Sequence, residues 1–183
     1  MTPIMILMGN IFWGFARMNL GLRLAISVGL GLLFAATAAT AGETSGLPLP
    51  RFVSLRSDEV NLRTGPGVRY PIDWIYARKD LPVEVIAEFE AWRKIRDWQG
   101  TEGWVHQSML TGRRMMVVLG AARNLRASDS ESADPVAVLE PGVLGRIVQC
   151  PRNRDFCRVE VDHSQGWLKR EEIWGVYKGE WIE

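Results

Sequence analysis

The segment Asn61-Leu62-Arg63 recurs 63 residues later as Asn124-Leu125-Arg126. The segment Gly103-Trp104-Val105 recurs at the same spacing as Gly166-Trp167-Leu168. Between them, at spacings of 62 and 64 residues, lie two looser matches: Val85-Ile86 with Ile147-Val148, and Trp92-x-x-Ile95 with Phe156-x-x-Val159. Matches in a constant order at a near-constant spacing indicate an internal duplication. We therefore predict two domains of about 63 residues. Because each is small for an independent core, we expect them to pack on each other or on a partner.

Each repeat is predicted to fold as short β-strands. Residues 83–89 alternate in polarity, which places Val83, Val85, Ala87 and Phe89 on one apolar face, and residues 157–162 alternate in the same way. Turn residues such as Gly and Pro separate these runs, and no segment after residue 41 sustains a helical period over three turns. About five short strands in each repeat indicate an all-β fold of two small barrels. The predicted bounds are 42–51 for a linker, 52–117 for the first domain and 118–183 for the second domain with its C-terminal tail.

A signal peptide is predicted at residues 1–41. Arg23, the apolar run 24–36 and the small residues Ala39-Thr40-Ala41 follow the order of a secretory signal, with cleavage after Ala41. Because a second apolar stretch precedes this arrangement, we expect translation to start at Met18. The predicted location is the periplasm, with no stable membrane span after cleavage. The alternative is an uncleaved N-terminal helix that anchors the protein in the inner membrane.

The predicted export of the protein bears on whether its two cysteines form a disulfide. Cys150 and Cys157 are separated by six residues. In an oxidising compartment, an even pair at this short spacing favours a disulfide. The alternative is a pair of free buried thiols.

Four segments of the first repeat resemble the bacterial Src homology 3 (SH3) domain. They are EVNLRTGPGVRYP (59–71), LPVEVI (81–86), AWRKIRD (91–97) and GWVHQSML (103–110). The resemblance covers residues 52–112 and, more weakly, 120–177. It implies two five-stranded SH3-like barrels in tandem, without catalytic machinery. Members of this family often bind peptidoglycan or accompany cell-wall enzymes, and the ending IWGVYKGE (173–180) is similar to exported proteobacterial proteins with tandem domains.

The Gly-Pro-Gly segment 65–67 predicts a stiff loop in the first repeat. Gly65 and Gly67 suit positions of positive φ around Pro66, whose ring fixes its own φ. Arg63 is interpreted either as a tie between this loop and the barrel or as a plain surface arginine. Ala127-Ser128-Asp129 replaces the Thr-Gly-Pro of the first repeat, so we expect a differently shaped loop there. The second repeat is thus the poorer candidate for a ligand groove.

The tryptophans suggest a recognition surface on the first barrel. Trp92 and Ile95 are three residues apart on a predicted strand, so they point to opposite faces, and Ile95 is expected in the core. Exposed tryptophans beside cations are typical of recognition surfaces. We predict a shallow groove that binds an extended peptide or glycan, lined by Tyr70, Trp92 and Trp98 with Arg63 nearby. The alternative is that these aromatic residues seal the interface between the repeats or pack on the loop.

The remaining aromatic residues are assigned structural roles. Trp74, Trp104 and Trp167 are predicted to complete the cores. Three residues near the C-terminus are expected to fix the tail onto the barrels: Trp174, Tyr177 and Trp181.

No catalytic or metal-binding motif is recognised in the sequence. It contains no H-E-x-x-H motif, nucleophile elbow or Walker loop. We therefore predict no catalytic residues, metal or cofactor, although a mixed site of histidines and carboxylates stays open. After residue 41 the chain carries 20 basic and 21 acidic residues, a balance that argues against nucleic-acid binding. The leading hypothesis is a periplasmic module that binds a cell-wall peptide or glycan. The alternatives are an envelope protein–protein scaffold and an enzyme of unknown type with a deep pocket.

Overall fold

The computed structural model describes residues 44–183, and this part of the chain forms two antiparallel β-sheets, one for each repeat. Two single-turn 3-10 helices, Gln107–Met109 and Arg170–Glu172, interrupt the strands. The predicted signal peptide, the start at Met18 and the cleavage after Ala41 lie outside the described residues. Within residues 44–183, no helix is long and apolar enough to span a membrane.

The two sheets have the same strand order. The first contains β1 (Arg51–Leu55), β2 (Val60–Arg63), β3 (Ile72–Tyr76), β4 (Pro82–Phe89), β5 (Trp92–Arg96), β6 (Glu102–His106) and β7 (Leu110–Thr111), in the order β3-β2-β6-β5-β4-β1-β7. The second contains β8 (Met115–Val118), β9 (Arg123–Arg126), β10 (Pro135–Leu139), β11 (Leu144–Gln149), β12 (Phe156–Val161), β13 (Ser164–Lys169) and β14 (Ile173–Trp174), in the order β10-β9-β13-β12-β11-β8-β14.

This architecture confirms the predicted tandem of SH3-like all-β domains. Each sheet has seven strands rather than five. Short strands such as the two-residue β7 and β14 leave no periodic pattern in a sequence, because a period needs several residues to show itself. The predicted join at 117/118 falls inside β8, whose residues pair with strands of the second sheet.

Each sheet wraps around a core of its own. The buried residues of the first core come from β1–β7 and their connections, with half-buried Leu144 of β11 packed against them. Those of the second core come from β8–β14, their connections and the tail. The repeated motifs occupy matching core positions, since Leu62 and Leu125 are fully buried, as are Ile95 and Val159. A Cβ on Gly103 would lie 2.5 Å from Cγ of Leu62, and one on Gly166 would lie 2.6 Å from Cγ of Leu125. The repeated Gly-Trp motif is therefore a packing requirement.

The predicted apolar face of β4 is correct only in its first half. Val83 and Val85 are fully buried, but a β-bulge between Val85 and Ala87 shifts the register against β5. A shift of one residue reverses the side-chain alternation beyond it. Phe89 therefore lies 43% exposed on the outer face instead of in the core.

The predicted disulfide is present. Cys150 and Cys157 are bonded to each other, and both are fully buried in the core of the second barrel. The bond joins the segment after β11 to the second residue of β12. Main-chain hydrogen bonds in both directions also pair Cys150 with Ile182, so this hairpin holds the C-terminal tail.

The two barrels pack on each other through the start of one and the tail of the other. The ring of Phe52 on β1 lies 5.2 Å from Trp174 and 4.6 Å from Tyr177, measured between ring centroids. The guanidinium of Arg114 contacts the same ring at 5.9 Å and forms an ion pair with Glu180. The expectation that Trp174 and Tyr177 fix the tail onto the barrels is thus confirmed.

Candidate ligand-binding face

An aromatic row crosses one end of the outer face of the first barrel. Trp92 on β5 lies directly opposite His106 on β6 and Phe89 on β4. Directly opposed residues of antiparallel strands share a face. The rings of Trp92 and His106 meet edge to face, 5.5 Å apart. We call the three residues the aromatic row.

A second row lies next to the aromatic row on the same face. Trp104 on β6 is opposite Arg63 on β2 and Lys94 on β5. Its neighbours Gly103 and Val105 are buried, so the alternation of β6 turns the half-buried indole outward. The expectation that Trp104 completes the core is wrong for this reason. The polarity alternation around Gly103 was the signal that could have shown its position.

Trp167 repeats this arrangement, since it is half-buried between buried Gly166 and Leu168. Its predicted core position is wrong for the same reason. Trp74 departs further from its predicted core position, because it is 57% exposed on the edge strand β3.

The other end of the outer face is covered by the second barrel. Phe52 and Glu84 are opposed on β1 and β4 and are both buried. Tyr177 donates a hydrogen bond from its hydroxyl to Glu84 Oε1 at 2.8 Å. Burial and the negative charge of Glu84 raise the pKa of Tyr177 well above its usual range. The aromatic row thus lies on a face whose opposite end forms the contact between the barrels.

Tyr70 belongs to the loop between β2 and β3 and packs back onto it. A Cβ on Gly65 would lie 2.4 Å from the Tyr70 ring, and one on Gly67 would lie 3.4 Å from it. Neither glycine has a positive φ, so the prediction that both occupy positions of positive φ is wrong. The first glycine is needed because the tyrosine ring occupies the space of a side chain.

Arg63 ties this loop to the barrel, as one of its two interpretations predicted. Its guanidinium Nη1 donates hydrogen bonds to the carbonyl oxygens of Val68 at 3.1 Å and Tyr70 at 2.8 Å. In the second barrel, Arg126 instead donates to the Asn124 carbonyl and forms an ion pair with Glu172 at 3.2 Å. The two loops therefore differ in how they are held, which agrees with the expected difference in shape.

Of the four predicted groove residues, the structure places only Trp92 in the aromatic row. Trp98 follows β5 and packs, half-buried, against the core of the first barrel. Tyr70 and Arg63 belong to the β2–β3 loop arrangement, and Trp104 lies between Arg63 and the strand of Trp92. Phe89, Trp104 and His106 were not predicted as neighbours of Trp92. Phe89 was expected on the core face, and the bulge in β4 turns it outward.

A buried polar cluster supports the backbone beneath the aromatic row. Arg93 and Glu88 form an ion pair with Nε and Oε1 3.1 Å apart, and their side chains are 6% and 2% exposed. Glu88 also accepts hydrogen bonds from Ser45 and Arg51. Burial disfavours the charged form of Glu88, but these hydrogen bonds and the charge of Arg93 outweigh burial and lower its pKa to about 2. The cluster fixes the ends of β4 and β5, where Phe89 and Trp92 lie.

The second barrel has a groove where the first has its aromatic row. Phe156, the counterpart of Trp92, is buried at the floor of a concavity of about 390 Å³. The tail contributes one wall, through Val176 and Lys178. Among residues 44–183, no group of three or more His, Cys, Asp or Glu side chains is placed to hold a metal ion.

Comparisons with known proteins bear on both repeats. The family model of the bacterial SH3 domain matches residues 56–112 and again residues 120–175. No curated protein matches the chain at a significant level. Among solved structures, NlpC1 from Trichomonas vaginalis is 13% identical with a TM-score of 0.32, and the match covers 77% of this chain and 50% of that one. NlpC2 from the same organism is 12% identical with a TM-score of 0.32, covering 70% and 48%. The chain thus spans about half the length of these two structures.

Proposed function

The chain belongs to the bacterial SH3 domain family, and from this premise we propose that its tandem barrels form a non-enzymatic binding or adaptor module of the periplasm. The proposed ligand is peptidoglycan or an extended peptide of the cell envelope. The proposed surface is the aromatic row of the first barrel together with Trp104 and Lys94. The second barrel serves in this proposal as the support that covers the other end of the same face.

The observation that carries this proposal is the partial exposure of Phe89, Trp92 and His106 side by side. Aromatic rings in a row supply a large contact area with little conformational freedom to lose. Lys94 lies one row away, paired with Glu102 at 2.6 Å. Such a combination suits a ligand with apolar faces and polar groups, as a wall peptide or glycan has.

Retention of the purified protein on peptidoglycan sacculi tests the proposal. We expect Trp92→Ala to weaken binding at least tenfold, because central aromatic anchors dominate such interfaces. Trp74→Ala is the matched control, since it removes the same side chain from an exposed site on the edge strand of the same barrel. Equal retention of the wild type and Trp92→Ala would contradict the proposal, and so would equal losses in both variants.

An envelope protein–protein scaffold is the second candidate, and the edge strand β3 favours it. Ile72, Trp74 and Ile75 are about half exposed on this strand, which has a neighbour only on one side. An exposed apolar edge strand is a template for pairing with a strand of another protein. In this case a photo-crosslinker at Ile75 should capture one stoichiometric partner in cells, while one at exposed Gln99 should not. Capture at neither position would count against the scaffold.

The periplasmic location is proposed from the predicted signal peptide. Mass spectrometry of the protein isolated from cells tests it, since cleavage after Ala41 leaves Gly42 as the first residue. Recovery of the uncleaved chain with the inner membrane would favour the alternative of an N-terminal anchor.

A further inference from the structure

A six-residue connection distinguishes the second barrel from the first. Only Glu90 and Ala91 connect β4 to β5, whereas residues 150–155 connect β11 to β12. This longer connection carries Arg152 and Arg154 at its exposed tip. With the tail residues Lys178, Gly179 and Trp181, it lines a second concavity of about 370 Å³.

One cation of this concavity, Arg152, is positioned by an aromatic ring. The guanidinium of Arg152 lies over the indole of Trp181, 4.4 Å from the ring centroid. Stacking on a ring holds the plane of a guanidinium while its N–H edge stays free. Within residues 44–183, the side chains of Arg152 and Lys178 have no hydrogen bond or ion pair. Arg154 pairs with Asp129 at 3.6 Å, and Asp155 is the only carboxylate among the described residues that line the concavity.

Three restraints converge on the backbone that carries these cations. The disulfide fixes the base of the connection, and the main-chain pairing of Cys150 with Ile182 fixes the tail beside it. The buried guanidinium of Arg170 then joins the two segments. It donates to the carbonyl oxygens of Pro151 and Arg154 on one side and of Tyr177 and Glu180 on the other. Such a rigid frame lowers the ordering cost of binding.

We infer that Arg152, Lys178 and Trp181, with Arg154, form an oxyanion-binding site on the second barrel. The ligand class is a phosphate group, because a planar guanidinium edge matches its paired oxygens. The site lies outside the aromatic row of the first barrel and does not depend on the function proposed for that row. A phosphate could be carried by a soluble molecule or by an anionic lipid headgroup, and the experiment separates these two sources.

Titration of the full chain with inorganic pyrophosphate, followed by calorimetry, tests the soluble source. Co-sedimentation with phosphatidylglycerol vesicles, compared with phosphatidylcholine vesicles, tests the lipid source. We expect binding in at least one arm, weakened by sodium chloride because exposed charges are screened. Arg152→Gln should weaken it at least fivefold and Lys178→Gln about threefold.

Arg158→Gln is the matched control, because Arg158 is an exposed arginine of the same barrel that bonds to Gln165 outside the concavity. Circular dichroism of each variant confirms folding, which these exposed positions should not disturb. Binding in one arm alone assigns the source of the anion. Absence of binding in both arms, or equal losses for Arg152→Gln and Arg158→Gln, overturns the inference.

Discussion

In the first barrel, Glu88 and Arg93 face each other at the ends of β4 and β5 and form a buried ion pair. In the second barrel, the corresponding positions are Cys150, which follows β11, and Cys157 on β12, and these two residues form the disulfide. The correspondence follows from the neighbouring cross-strand pairs, Ala87 with Lys94 in one sheet and Gln149 with Arg158 in the other. The ends of the two neighbouring strands are thus joined by an ion pair in the first barrel and by a disulfide in the second. We call each of these cross-links the closure of its barrel.

Each closure also holds the segment that flanks its barrel. Glu88 accepts two hydrogen bonds from Ser45, which precedes the first strand. Cys150 pairs through its main chain with Ile182, which follows the last strand. Equivalent positions in the two barrels thus join the same strand ends through different chemistry. The two barrels should therefore respond to different conditions, since an ion pair depends on pH and a disulfide on redox state.

The largest predicted difference in stability between the two barrels concerns a glycine that both repeats share. Gly175 has φ of +128°, and a Cβ there would lie 2.2 Å from the carbonyl oxygen of Met115. Its counterpart Gly112 has open space around the same atom. We expect Gly175→Ala to lower the free energy of unfolding by about 4 kcal/mol, from backbone strain and overpacking. Gly112→Ala should leave it unchanged or raise it by about 0.5 kcal/mol. Urea denaturation measures the free energy of unfolding of both variants. Similar changes in the two would show that the two glycine positions are equivalent.

Acid should weaken the ionic closure of the first barrel. The pKa of Glu88 is about 2, below its ordinary value of 4.5, so its stabilisation is complete above the ordinary value and is lost as pH falls toward 2. The full contribution of Glu88 to the free energy of unfolding is about 3 kcal/mol. We expect the unfolding free energy of the wild type to fall more steeply between pH 5 and pH 3 than that of Glu88→Gln. Parallel pH profiles for the two proteins would contradict the assigned ion pair.

Removal of the disulfide should lower the free energy of unfolding by a smaller amount, and this amount should not depend on pH. Replacing both Cys150 and Cys157 by Ala should cost about 2 kcal/mol, at the low end for disulfides because the closed loop is short. Alkylation of the denatured, non-reduced wild type should give no mass shift, whereas two added groups would refute the disulfide. Urea denaturation of the wild type and the double variant at pH 7 and at pH 3, where the Glu88 stabilisation is partly lost, measures the cost. A cost that changed between these two pH values would show that the disulfide and the ion pair are not independent.

The repeat, the all-β class and the disulfide could be predicted from the sequence because each depends on spacing or period. The shift of about 63 residues between motifs survives any local irregularity. The outward position of Phe89 could not be predicted, because it depends on a bulge formed against β5. Bulges arise from pairing between strands and leave no fixed pattern in one strand.

The aromatic site was predictable only in part for a related reason. Trp92 was assigned correctly to the face opposite Ile95, since alternation along β5 is regular. Trp98 lies beyond the last residue of β5, where alternation no longer applies, and it packs on the core. Its distance from Trp92 depends on a turn that the period of the strand does not describe.

The smallest predicted effect concerns the loops held by Arg63 and Arg126. Arg63 donates to two carbonyl oxygens of its own loop, so Arg63→Gln should destabilise that loop by about 1 kcal/mol. Hydrogen exchange of the Gly67 and Tyr70 amides, which are bonded within the loop, should then become about fivefold faster. Arg126 bonds to Glu172 rather than to its loop, so Arg126→Gln should leave exchange in residues 127–134 unchanged relative to the rest of its barrel. Equal local acceleration in both loops would mean that the two arginines have the same role, and the second repeat would then have kept the loop support of the first despite losing its Gly-Pro-Gly segment.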